Sequence, residues 1–123
     1  MKVMCINQVD WMLKDMKQVV LEIVPEAEVL LCKPSEAVNV AGNKGCDVVL
    51  TDIDLGGPHD EGLILAQKIS ELCPRVNIIF LTVCAPQEYT KRVLKLRPSG
   101  YVTVPYNTRR LAKEFQNLRY AVK

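Results

Sequence analysis

The sequence predicts a three-layer α/β sandwich, with a five-stranded parallel sheet in doubly wound order 2-1-3-4-5 and helices on both faces. Three observations carry that expectation. Strand-like and helix-like stretches alternate five times along 123 residues, a pattern that builds parallel sheets. The apolar runs Val48-Val49-Leu50-Thr51, Val76–Leu81 and Tyr101–Val104 are continuous rather than alternating, as suits strands covered on both faces. Each run ends in a residue fit for a functional rim, respectively Asp52, Thr82 and Pro105. Open parallel sheets bind their ligands at the carboxyl ends of the strands.

The elements follow in order. Lys2–Ile6 is a short apolar run that reads as the first strand. Val9–Val24 has helical spacing at Met12, Met16, Val19, Val20 and Ile23, and Pro25 ends it, because proline lacks the amide that a helix interior needs. Ala27–Cys32 reads as a second strand. Pro34-Ser35-Glu36 opens a short helix that stops near Gly42–Gly45. Asp47–Asp52 is the third strand, and Glu61–Leu72 is a helix closed by Pro74. Val76–Leu81 is the fourth strand, followed by a helix over Pro86–Leu96 with Tyr89, Val93 and Leu96 on one side. Gly100–Val104 is the fifth strand. Thr108 is the expected N-cap of a last helix that buries Leu111, Phe115 and Leu118. Right-handed crossovers between such units make 2-1-3-4-5 the leading order. Strands 1 and 3 then flank the switch point, and the loops after residues 6, 52, 82 and 104 face one crevice.

Size and composition fit a single domain over residues 1–123, long enough to bury about two-thirds of its unfolded surface. Hydrophobic residues make up 49% of the chain and charged residues 24%, a globular balance that excludes disordered and fibrous classes. No apolar run approaches the roughly 18 residues of a membrane span, and Met-Lys-Val-Met-Cys has no signal-peptide pattern. Cys5, Cys32, Cys46, Cys73 and Cys84 are odd in number and include no C-x-x-C pair. Reduced thiols in a cytoplasmic protein are the expectation. The net charge of +2 is unevenly divided. Residues 91–123 hold nine Lys/Arg against one acid, Glu114, a net +8, whereas residues 1–90 carry a net −6. This asymmetry points to an acidic partner or a nucleic acid; the plainer reading is the solvated faces of the last two helices.

Several chemistries lack their residues. No G-x-G-x-x-G or G-x-x-x-x-G-K-[ST] loop follows any strand, so a nucleotide would have no phosphate cradle. Asn7-Gln8-Val9-Asp10 is not the Ser/Thr-rich loop that an FMN site wants. His59, the only histidine, sits among Gly57, Pro58 and Asp60 as a solvated loop residue, which leaves no basis for a zinc site or a catalytic triad. Trp11, near the start of the first helix, reads as packing at the crevice edge. Asp52 and Asp54 also fit the nucleophile and acid of haloacid-dehalogenase-type phosphatases. Those enzymes need further carboxylates late in the chain, and no aspartate follows Asp60.

Val-Val-Leu-Thr-Asp-Ile-Asp-Leu at 48–55, Ile-Phe-Leu-Thr at 79–82 and Pro-Ser-Gly-Tyr-Val-Thr-Val-Pro at 98–105 together resemble the CheY-like receiver domains of two-component response regulators. The resemblance covers nearly the whole chain and implies a flavodoxin-like sheet. It implies a phosphoacceptor at Asp52, a hydroxyl at Thr82 that binds a phosphoryl oxygen, an aromatic switch at Tyr101 and a structural proline at Pro105. It further implies a sensor histidine kinase as phosphoryl source, and an output domain or protein partner at the face of helix 4, strand 5 and helix 5. The role is phosphorelay signal transduction in the cytoplasm, not enzymatic turnover. Asn117-Leu118-Arg119-Tyr120 resembles the end of receivers that continue into a DNA-binding domain, which would make residues 1–123 the N-terminal part of a longer response regulator. Without a reading helix, direct nucleic-acid binding by this domain is not expected, nor is membrane association. A dimer is allowed, although like charges on the basic face would repel across a two-fold axis.

The chain also departs from the family. There, an acidic pair after strand 1 holds a Mg²⁺ ion, and a lysine after strand 5 pairs with the phosphoryl group. Here those positions are Asn7-Gln8 and Val104. Neutral amides bring Mg²⁺ no charge, and losing one preorganised electrostatic group costs about 10²–10³ in rate. The candidate metal ligands are Asp52, Asn7 and Asp54, for Mg²⁺ bound weakly or not at all. Asp10 is a further acid near the crevice; the plainer readings are a solvated loop acid for Asp54 and a helix cap for Asp10. Gly56 stands where the family usually has proline, and Asp60 and Gly62 are displaced by about two residues, which implies a small insertion. Two readings follow: a phosphorelay receiver with an atypical metal site, or a phosphorylation-independent pseudo-receiver acting as a protein-interaction module.

Overall fold

Alternating apolar strands and amphipathic helices give ten elements in the computed structural model, which describes residues 1–57, 60–82 and 90–122. They are β1 (Lys2–Ile6), α1 (Asp10–Ile23), β2 (Glu28–Cys32), α2 (Pro34–Lys44), β3 (Val48–Thr51), α3 (Glu61–Leu72), β4 (Asn77–Thr82), α4 (Thr90–Lys95), β5 (Gly100–Thr103) and α5 (Thr108–Gln116). All strands pair in parallel in the order β2-β1-β3-β4-β5, as the sequence predicts. Ile6 lies beside Thr51, Thr51 beside Phe80, and Thr82 beside Thr103. The carboxyl ends of β1, β3, β4 and β5 therefore share one rim.

Strand side chains alternate between two layers, and each layer has its own core. Val3 and Cys5 of β1 join Val48 and Leu50 of β3 against Leu13 and Met16 of α1 and Leu111 and Phe115 of α5. Met4 and Ile6 join Val49 and Phe80 against Ala37 and Ala41 of α2 and Leu63, Ala66 and Ile69 of α3. Burying a side chain of this size stabilises by about 1.5–3 kcal/mol, so the two layers hold the sheet from both sides.

The boundaries differ from the sequence reading in ways that pairing and capping explain. β3 stops at Thr51 rather than Asp52, because Thr51 pairs with Ile6, the last residue of β1. β5 stops at Thr103, opposite the last residue of β4, and leaves Val104 just outside the sheet. The end of α2, by contrast, is as expected: it falls at Lys44, and Gly45 follows with a φ of 70° that suits glycine. Asn107, not Thr108, caps α5: it is extended, and its side chain accepts the Arg110 amide at 2.8 Å. Thr108 instead donates to Glu22 Oε2 at 3.2 Å, tying α5 to α1. Pro58, His59, Cys84 and the start of the helix expected at Pro86 lie outside the described residues.

One buried polar side chain anchors the end of the chain. Asn77, at the start of β4, is fully buried. Its amide nitrogen donates to the Asp47 and Tyr120 carbonyls at 3.2 and 3.0 Å, and its Oδ1 accepts from Ser99 Oγ and the Tyr120 amide, both at 2.7 Å. Asn77→Ala would strip partners from all of these groups at once, and buried polar groups left unpaired are costly. The expected loss is about 2–4 kcal/mol, read as a lower urea midpoint at unchanged slope. An unchanged midpoint would mean that water replaces the network.

Candidate functional site

The crevice forms where β1 and β3 end and their loops diverge. Asp52, the first residue beyond β3, is half-buried there. Its Oδ1 accepts the Ile53 amide at 2.6 Å and the Asp54 amide at 3.3 Å. Thr51, fully buried, donates its hydroxyl to the Asp52 carbonyl at 3.0 Å. Burial pushes the Asp52 carboxyl above its usual range; the amides of Asp54 and Ile53 act against this, and the Asp54 carboxylate adds a smaller upward push.

The sign of that shift yields a stability prediction. A raised value means that the folded state holds the proton more tightly than the unfolded chain. The stabilisation is present below the ordinary value of 3.8 and is lost as pH rises through the folded value. Asp52→Asn cannot ionise and keeps an acceptor oxygen for both amides. It is expected to melt above wild type at neutral pH, with the gain shrinking on acidification toward 3.8. Thermal melts of both proteins across that range provide the check, and a gain that grows on acidification would reverse the assignment.

The other candidate ligands spend their oxygens locally. Asn7 Oδ1 accepts the Val9 amide at 2.9 Å. Asp54 is exposed, and its Oδ1 accepts the Gly56 amide at 3.0 Å, closing a turn at a glycine with φ of 90°. Asp10 does not cap α1, where Val9 holds that position. It pairs with Lys33, whose Nζ lies 3.0 Å from Asp10 Oδ1 and donates to the Gln8 carbonyl at 2.8 Å. A lysine thus lies over the β1–α1 loop, where the family has its acidic pair. Among the described residues, no group of three His, Cys, Asp or Glu side chains could hold a metal ion. One half-buried carboxylate beside one amide does not fit Mg²⁺, which demands near-octahedral oxygen ligation and dehydrates reluctantly.

The far side of the crevice is apolar. A cleft of about 490 Å³ runs from Asp52 and Asn7 between α1 and the β5–α5 loop, past Trp11, Met16, Val104 and Pro105. Among the described residues, no Lys or Arg lines it. The Val104–Pro105 peptide is cis, and Val104 packs against the α1/α5 layer. Tyr106 also lines the cleft; burial pushes its hydroxyl up to about 12, with the Asp15 carboxylate adding to the effect. β4 ends at Thr82 on the same rim. Tyr101 stands apart from the cleft, beside Phe80 and packed against the α2/α3 layer.

Of the residues singled out in the sequence, the structure brings Asp52, Asn7, Val104 and Pro105 to one cleft and leaves Asp54, expected as a metal ligand, in its own turn. The sequence reading missed Lys33 and Tyr106. Lys33 follows β2, and only the β2-β1 adjacency reveals that its side chain can reach the loop after β1.

Known proteins match this architecture. The family model described as the response regulator receiver domain matches residues 3–116. The oxygen regulatory protein NreC of Staphylococcus epidermidis is 39% identical over 56 residues, 46% of this chain and 25% of that protein. The chain thus spans about a quarter of the length of the curated relatives it matches. A CheY-like receiver domain protein from Methanospirillum hungatei superposes with a TM-score of 0.80 at 26% identity, covering 94% of this chain and 90% of that one. Chemotaxis protein CheY4 of Vibrio cholerae gives 0.78 at 19% identity, covering 94% and 95%, and shares the fold. The chain belongs to the response regulator receiver domain family.

Proposed function

We propose that this receiver is the regulatory module of a response regulator that signals mainly through protein contact. Asp52 keeps the phosphoacceptor position, but the charge that makes phosphoryl transfer fast has been lost. The observation that supports this reading is the cleft at Asp52, which no Lys or Arg lines among the described residues, with the nearby Lys33 committed to Asp10. Phosphoryl transfer depends on positioned positive charge against the moving group. The partner surface of this reading is the α4, β5 and α5 face. There Leu94 is 66% exposed and Lys95, Arg109, Arg110 and Lys113 are exposed, which suits an acidic partner or a following output domain. The quarter-length match to NreC supports a longer parent protein.

One observation favours the second reading, a working phosphorelay receiver. Asp52 remains half-exposed at the end of β3, open to a histidine kinase. Thr82 would then bind the phosphoryl group and Tyr101 would act as the switch. The test compares Asp52→Asn with wild type in the native host, reading the output the protein controls. Unchanged output is the expected result under protein-contact signalling; loss of output would establish the phosphorelay instead.

A further inference from the structure

The cleft beside Asp52 has features of a small-molecule site that phosphoryl chemistry does not use. Its volume of about 490 Å³ falls within the roughly 300–1,000 Å³ of ligand pockets. Met12, Met16, Val19, Leu81, Val104 and Tyr106 give it an apolar wall. Among the described residues, the charged ones that line it are two acids, Asp52 and Asp15. Trp11 borders it and is 68% exposed, so an indole face is open to a ligand, and an indole attracts cations as well as apolar groups.

We propose that this cleft binds a small amphipathic organic cation, an apolar body carrying a protonated amine that pairs with Asp52. Charge complementarity selects the occupant: among the described residues the lining has two carboxylates and no Lys or Arg, which repels an anion and leaves a neutral ligand without an ionic partner. Burial sharpens the choice, because a charge-assisted hydrogen bond in a partly dry site is worth more than a neutral one. Val104 matters as much as Asp52. A lysine there would put a second cation into the cleft, whereas valine extends the apolar wall toward the acid. The inference rests on the reading that Asp52 is free of phosphoryl traffic, and it names what takes that place.

Trp11 is the only tryptophan, so its emission reports the cleft directly. Phenylbutylamine, phenylbutanol and phenylbutyrate share one apolar body and differ in charge. The amine is expected to shift the Trp11 emission saturably and to bind about tenfold tighter than the alcohol, the worth of one charge-assisted hydrogen bond. The carboxylate should bind most weakly. Asp52→Asn should bring the amine down to the affinity of the alcohol, and Val104→Lys should abolish its binding. Asp15→Asn, at an exposed position, should weaken the amine several-fold and serves as a second variant should Asp52→Asn fold poorly. Equal affinities for the three probes, a response that never saturates, or unchanged amine affinity in both acid variants would overturn the proposal. The two readings fail separately. A phosphoryl adduct on Asp52 would overturn the proposed function while leaving amine selectivity standing; loss of selectivity without an adduct would overturn this inference alone.

Discussion

Restoring the missing charges should turn the crevice into an efficient phosphoryl acceptor. Asn7→Asp and Gln8→Asp with Val104→Lys are expected to raise phosphorylation of Asp52 by a small acyl phosphate about 10²–10³-fold or more, the worth of one to two preorganised charges. Asp at position 7 can still accept the Val9 amide that Asn7 holds at 2.9 Å, so the loop need not reorganise. Val104→Lys would bring a cation into a cleft that no Lys or Arg lines among the described residues. The two new acids supply the anionic oxygens that Mg²⁺ needs, and Trp11, which lines the same cleft, reports the titration. Gln8→Asp alone should do least, because Lys33 already lies at the Gln8 carbonyl and would pair with the new acid. Unchanged Mg²⁺ affinity in the triple variant would contradict this placement of the crevice.

Gly62→Ala is expected to cost about 3 kcal/mol or more and to displace Asp52. A Cβ at Gly62 would collide with the carbonyl oxygen of Asp52 and sit 2.8 Å from the Cα of Ile53. Both are backbone atoms, so no rotamer change relieves the clash. The Gly62 amide also donates to the Ile53 carbonyl at 2.8 Å, which clamps the first turn of α3 onto the acceptor loop. Gly57→Ala is the control. There the three atoms nearest to a Cβ all belong to the Glu61 side chain, at 2.9 Å or beyond, and that side chain can rotate away. Chemical denaturation of both variants checks the contrast; equal losses would show that the Asp52–Gly62 contact is not what holds the loop.

The layers, strand order and shared rim were legible because continuous apolar runs mark strands buried on both faces, and five β/α units leave few right-handed topologies. The ends were less legible. Val104 belongs to an apolar run by composition, yet β5 ends one residue before it, at Thr103. Asn107 and Thr108 are both competent caps, and only the extended backbone of Asn107 decides between them. The charges were hardest to read. Asp54 was a candidate ligand and Asp10 a further acid near the crevice, and the fates of both depend on tertiary neighbours. A strand pairing brings Lys33 to Asp10, and a positive-φ glycine folds the Asp54 loop back on itself. Asn77 carried a signal that the sequence reading passed over: an amide at the head of an apolar strand must find partners when buried, and here they lie at the far end of the chain.

The most direct test of the account is intact mass after incubation of wild type and Asp52→Asn with Mg²⁺ and a small acyl-phosphate donor. The account predicts no phosphoryl adduct on either protein, because the acceptor carboxylate lacks its compensating charges. A near-stoichiometric adduct on wild type alone would contradict it and make this chain a working phosphorelay receiver.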